Sequence, residues 1–118
     1  MTDHDAPDQP ITRTVLLDAR LEQAKPIGHI EIRRISIAPG HAAGLHVHNG
    51  PVVGSVVEGS VVYQVEGTPE SVLTAGDVFF EPEGARIARF DAQADGVTFL
   101  AYFPLGPDEQ AAIVFPEE

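Results

Sequence analysis

The sequence predicts an all-β domain on three observations. Short runs of apolar, β-branched residues recur at the ~8 to 12 residue spacing of sandwiches and barrels. Glycine or proline closes most of these runs, and no window shows a convincing helical period. Eleven glycines and ten prolines suit the many corners such a fold needs.

Taken in order, residues 1 to 10 are polar with two prolines and read as a disordered or loosely held arm, leaving 11 to 118 as one domain. "ITRTVLLDARL" reads as a first, edge strand. "IGHIEIRRISIAPG" alternates through Ile30 and Ile32, then through Ile35 and Ile37. That slip at Arg33 and Arg34 predicts a bulge and bears on which arginine faces inward. "LHVH", "PVVGSVVEG", "SVVYQVEG", "GDVFFEPEG", "ARIARFDA" and "GVTFLAYFPLG" follow as strands, for about eight or nine in all. "PDEQAA" has room for one helical turn, and "AAIVFP" is apolar with no evident partner in the chain.

Composition excludes several function classes. With eighteen acidic residues against seven basic ones, the net charge is −11, which repels polyanions, so nucleic acid is not an expected partner. No apolar run approaches the ~18 residues of a membrane span, and the acidic N-terminus lacks the form of a secretory signal, so a soluble cytoplasmic protein is expected. Having no cysteine, the chain must bind any metal through imidazole and oxygen, a donor set suited to Mn, Fe, Ni, Cu or Zn.

"PGHAAGLHVHNGPVVG", residues 39 to 54, holds three of the five histidines. In a strand, residues two apart face the same side, so His46 and His48 project together while Leu45 and Val47 point away. A third donor is needed to hold an ion well. His41 reads as a turn residue, and His4 and His29 have no supporting context. Glu81, in the apolar "VFFEP", offers a carboxylate. If Phe79 and Glu81 share the inward face, Glu81 completes a two-histidine, one-carboxylate site and can serve as ligand or base. If Val78 and Phe80 face inward, it points out and pairs with an arginine. Arg89 shares the face of Ile87 if their strand is regular, and then grips an anionic substrate; otherwise it balances surface acids such as Asp91. Gly50, Gly59, Gly76 and Gly84 read as turn glycines. Gly54, inside a strand, makes room for a ligand or a neighbouring side chain.

These residues resemble the cupin family of jelly-roll β-barrels. Its first motif, G(X)5HXH(X)3-4E(X)6G, is matched by Gly40, His46, His48 and Gly59, with Val52 in the glutamate position. Its second, G(X)5PXG(X)2H(X)3N, is matched by Gly76, Pro82 and Gly84, with Ile87 in the histidine position and Asp91 in the asparagine position. The resemblance implies a barrel of about eight or nine short antiparallel strands over roughly residues 28 to 103. It also implies a menu of metal-dependent oxygenation, isomerisation or cyclisation of a small molecule. Loss of two ligand positions supports the alternative of a non-catalytic binding or sensing module. Unpaired apolar segments at both ends lead to the expectation of a homodimer.

Overall fold

The computed structural model describes residues 10–116, which form strands and turns with no helix. β1 (His29–Ile37), β3 (Val52–Val65), β4 (Ser71–Thr74), β5 (Val78–Glu81) and β6 (Ile87–Leu105) make one antiparallel sheet in the order β1-β6-β3-β4, with β5 also pairing β3. β2 (Val47–His48) and β7 (Ile113–Val114) make a second, two-stranded sheet. Isolated bridges Ala42↔Asp91 and His46↔Ile87 tie the residues around β2 to β6.

Seven strands stand against the expected eight or nine: two pairs of predicted strands are each one long, bent strand, residues 11–21 form none, and β4 and β7 are additional. "PVVGSVVEG" and "SVVYQVEG" are one strand, β3, bent where its register with β6 shifts on both sides of Gly59. Gly59 has φ +81, and a Cβ there would run into the Gly96 carbonyl, so only glycine permits the bend. It is therefore a corner inside a strand and not a turn between two. β6 likewise joins the two last predicted strands.

Other expectations fail for local reasons. Residues 11–21 form no strand among the described residues and leave Val15 71% and Leu16 67% exposed. Strand propensity expresses a fit to a pleated, half-buried surface, and these residues pair with none. β1 carries no bulge: its register runs unbroken from His29↔Leu105 to Ile37↔Val97. The slipping pattern arises because Ile30 and Ile32 lie on the outer face, 65% and 58% exposed, while Ile35 and Ile37 lie on the inner one. "PDEQAA" makes a turn, with the Glu109 amide donating to the Gly106 carbonyl at 3.1 Å. The predicted arm and His4 fall, apart from Pro10, outside the described residues.

The core is the inner face of β3, β5 and β6. Val52, Val56 and Val61 alternate inward from β3, Phe79 from β5, and Phe90, Ala92, Phe99, Ala101 and Phe103 from β6. Apolar burial at these positions fixes the register, since a slip of one residue would turn every one of them to solvent. Parity then dictates which polar side chains are carried inside.

Candidate metal centre

β2 is short, but its alternation holds. His46 and His48 project to the same side, with ring centroids 5.1 Å apart and planes at 83°. His46 is 4% exposed, and its Nδ1 lies 2.8 Å from the Gly44 carbonyl oxygen. A carbonyl only accepts, so Nδ1 carries the hydrogen and Nε2 presents its lone pair to the interior. This is the arrangement that orients imidazole for metal binding.

Glu81 faces inward with Phe79 and is 3% exposed, whereas Val78 and Phe80 are on the outer side. The inward alternative for Glu81 is thus the one the fold adopts. Its Oε1 lies 2.9 Å from His48 Nε2 and 3.9 Å from His46 Nε2. Ligand atoms of the three residues all lie within 4.8 Å of one another. Three donors held at ~2.1 Å from one ion are spaced about 3.0 to 3.4 Å apart, so small side-chain adjustments bring this set onto a metal. Two neutral nitrogens and one carboxylate form a group that can hold a divalent transition ion.

Register explains how the carboxylate gets there. Val52 and Glu81 are direct partners in the β3–β5 ladder. The acid absent from position 52 is therefore supplied by the residue opposite on the neighbouring strand, and its side chain enters the same space. Ile87 is the direct bridge partner of His46 and is 0% exposed. An apolar wall occupies the place where a further imidazole would stand.

The charges on this triad are coupled. Burial pushes the His46 pKa down, but the Glu81 carboxylate and the Gly44 carbonyl outweigh it and raise the value above the ordinary 6.5. Burial pushes Glu81 up, but the two imidazoles outweigh it and hold the carboxyl below the ordinary 4.5. Burial, then the Glu81 charge, pushes the Tyr63 hydroxyl above its usual range. Tyr63 donates to the Phe80 carbonyl at 2.9 Å.

Arg89 does not share the face of Ile87. Gln64 pairs Arg89 while Val65 pairs Ile87, so Ala88 is an extra residue on β6 and parity flips across it. Arg89 is exposed, 2.9 Å from Glu70 and 3.7 Å from Asp91, outside the site. His41 is exposed in its turn. Gly54 makes room for a side chain: a Cβ there would overlap the Phe79 ring.

Two neighbours of the site were noted in the sequence without being placed beside it. β7 pairs with β2 through Val47↔Val114 and His48↔Ile113, which gives "AAIVFP" a partner within its own chain. Asn49 fastens it, donating to the Gln110 carbonyl and accepting from the Ala112 amide, each at 2.9 Å. Phe115 then lies 6.3 Å from the His46 ring. The β-branched pair Ile113 and Val114 was the available signal. Arg33 is the second neighbour and is exposed outside the cavity. It shares the parity of Ile35 and Ile37, lies 5.1 Å over the Phe103 ring and is paired with Glu31.

The donors line one end of a cavity of about 150 Å³, whose other walls include Ile35, Ile37, Phe90, Phe99 and Phe103. A wider groove of about 750 Å³ between residues 20–26 and Pro51, Phe80 and Pro82 contains none of them.

Residues 33–89 match the cupin domain family model. No curated protein matches the chain. Among solved structures, an RmlC-like cupin from Shewanella frigidimarina is 29% identical over 64% of this chain and 65% of its own, with a TM-score of 0.56. A DMSP lyase from Ruegeria pomeroyi is 22% identical over 73% of this chain and 42% of its own, TM-score 0.64. An oxalate oxidase in complex with the substrate analogue glycolate is 22% identical over 73% of this chain and 45% of its own, TM-score 0.62. This chain spans less than half the length of either enzyme structure. By its paired motifs, its antiparallel topology and these likenesses, the chain carries a small cupin domain.

Proposed function

We propose that this protein is a metal-dependent enzyme that converts a small organic molecule by oxygenation, isomerisation or cyclisation, with His46, His48 and Glu81 as the ligands. The observation that carries the reading is the buried carboxylate 2.9 Å from His48 at the ladder position opposite Val52. An anionic side chain is costly to bury, and this fold does so where two imidazoles converge. A divalent ion bound there supplies polarisation of a coordinated oxygen or activation of dioxygen. His46 is oriented by Gly44, Glu81 offsets one charge of the ion, and Ile87 and Val52 keep water from two sides. Three protein donors leave positions for substrate. Alternatively, where the two histidines alone hold the ion, the ionised Glu81 carboxylate serves as the base that removes a proton from carbon.

The test is metal analysis after exposure to Mn, Fe, Ni, Cu and Zn. Wild-type protein should take up about one ion per chain, and the His46→Ala/His48→Ala variant none, with an unchanged far-ultraviolet β spectrum. Equal uptake by both overturns the assignment.

A second reading is favoured by the apolar character of Val52 and Ile87: a non-catalytic module that binds or senses a small ligand. Ligand binding by protein that takes up no metal supports it over the first. We also infer a homodimer. Its support is the exposed Ile30 and Ile32 on the edge strand β1 together with Val15 and Leu16 of the extended N-terminal segment. β7 no longer contributes to that argument, because its partner is β2. A monomeric mass by light scattering contradicts the dimer.

A further inference from the structure

We propose that the cavity takes a compact molecule with a hydrocarbon body of about six to eight non-hydrogen atoms and a single polar group, and that it selects against polyols of the same size. The inference rests on the metal-site reading for the direction of the polar group and on the cavity walls for everything else.

Size comes first. A volume of about 150 Å³ is enough to admit a ring the size of benzene. Polarity comes second. Among the described residues lining the cavity, the ionisable groups are His46, His48 and Glu81, gathered at one end. The remaining walls include the rings of Phe79, Phe90, Phe99 and Phe103 with Ile35 and Ile37. Further hydroxyl groups on the ligand would sit against these rings with no hydrogen-bonding partner, and a buried polar group without a partner is disfavoured.

Neither nearby arginine alters this. Arg89 is held outside by Glu70 and Asp91, and Arg33 lies outside the cavity wall with its charge offset by Glu31. The shape is also built in. Gly54, lacking a Cβ, lets the Phe79 ring lie across β3, and Ala101, 1% exposed, leaves open the space opposite. Ile113 of β7 completes the wall near His48.

The experiment titrates toluene, benzyl alcohol and glycerol into metal-free and zinc-loaded protein, read by amide chemical shifts and by nuclear Overhauser contacts from ligand protons. Toluene should saturate both forms and contact Phe90, Phe99 and Ile35. Benzyl alcohol should bind the zinc form at least threefold more tightly than the metal-free form, and at least tenfold more tightly than glycerol binds it. The Ala101→Leu variant should lose toluene binding; if it does not fold, the contacts in wild-type protein decide the matter. Toluene contacts confined to the groove near residues 20–26, or no toluene binding, overturn the inference. So does tighter binding of glycerol than of benzyl alcohol. Failure of the metal reading is separately visible as absent zinc uptake, and the metal-free toluene titration still tests the cavity.

Discussion

Replacing Glu81 with glutamine keeps the side-chain volume and removes the charge. The carboxylate is 3% exposed and approaches His48 and His46 at 2.9 and 3.9 Å, so no solvent carboxylate or bulk water substitutes for it readily. Groups that merely orient a ligand are worth 10- to 100-fold in metal affinity. A direct anionic ligand should be worth at least tenfold, about 1.4 kcal/mol. The pH profile adds a second, independent readout. Protons and metal compete for His46 Nε2, and in wild-type protein Glu81 raises the His46 pKa above 6.5, so affinity should begin to fall above that pH as acid is added. In Glu81→Gln the raising influence of the carboxylate is lost and burial, which pushes the value down, gains weight. The variant's profile should therefore shift to lower pH, and the gap between the two proteins should narrow as pH falls. Competition for zinc against a chromogenic chelator from pH 5.5 to 8.5 measures both effects. Equal affinities with superimposed profiles would refute the argument and leave a two-histidine site completed by water.

The same charges set the stability of the metal-free protein. Glu81, with its depressed pKa, stabilises fully above 4.5 and loses this as pH falls through its folded value; His46, with its raised pKa, stabilises fully below 6.5 and loses this as pH rises through its folded value. Both act together between those limits, so the metal-free melting temperature should be higher near pH 5.5 than at pH 8, and a rise between them would count against the pair. Gly54→Ala should cost about 1 to 3 kcal/mol in urea denaturation, because the added methyl meets the buried Phe79 ring. An unchanged midpoint would show that the ring has room to move. Arg89→Ala should leave zinc affinity unaltered and stability within about 0.5 kcal/mol, as expected for an exposed ion pair. A tenfold loss of zinc affinity would place Arg89 in the site after all.

Sequence alone determined what depends on local geometry. Residues two apart on a strand share a face, so His46 and His48 could be paired before any fold was known. The all-β class followed from recurrent short apolar runs, and motif spacing pointed to the family. Absence of cysteine defined the donor chemistry. The orientation of Glu81 was open because "VFFE" has apolar residues on both faces, giving alternation nothing to distinguish. The β3–β5 ladder settles it, since burying Val52, Gly54 and Phe79 on one side carries Glu81 inward with them. The face of Arg89 was open for a related reason: a single inserted residue, Ala88, reverses parity, and "ARIARF" does not announce where the extra residue lies. Ile30 and Ile32 imitated a bulge because apolar side chains also occupy the outer face. β7 found its partner in β2 only through contact between residues more than sixty apart. Register across strands, which no local pattern encodes, therefore decided how the pair of histidines acquired its acid.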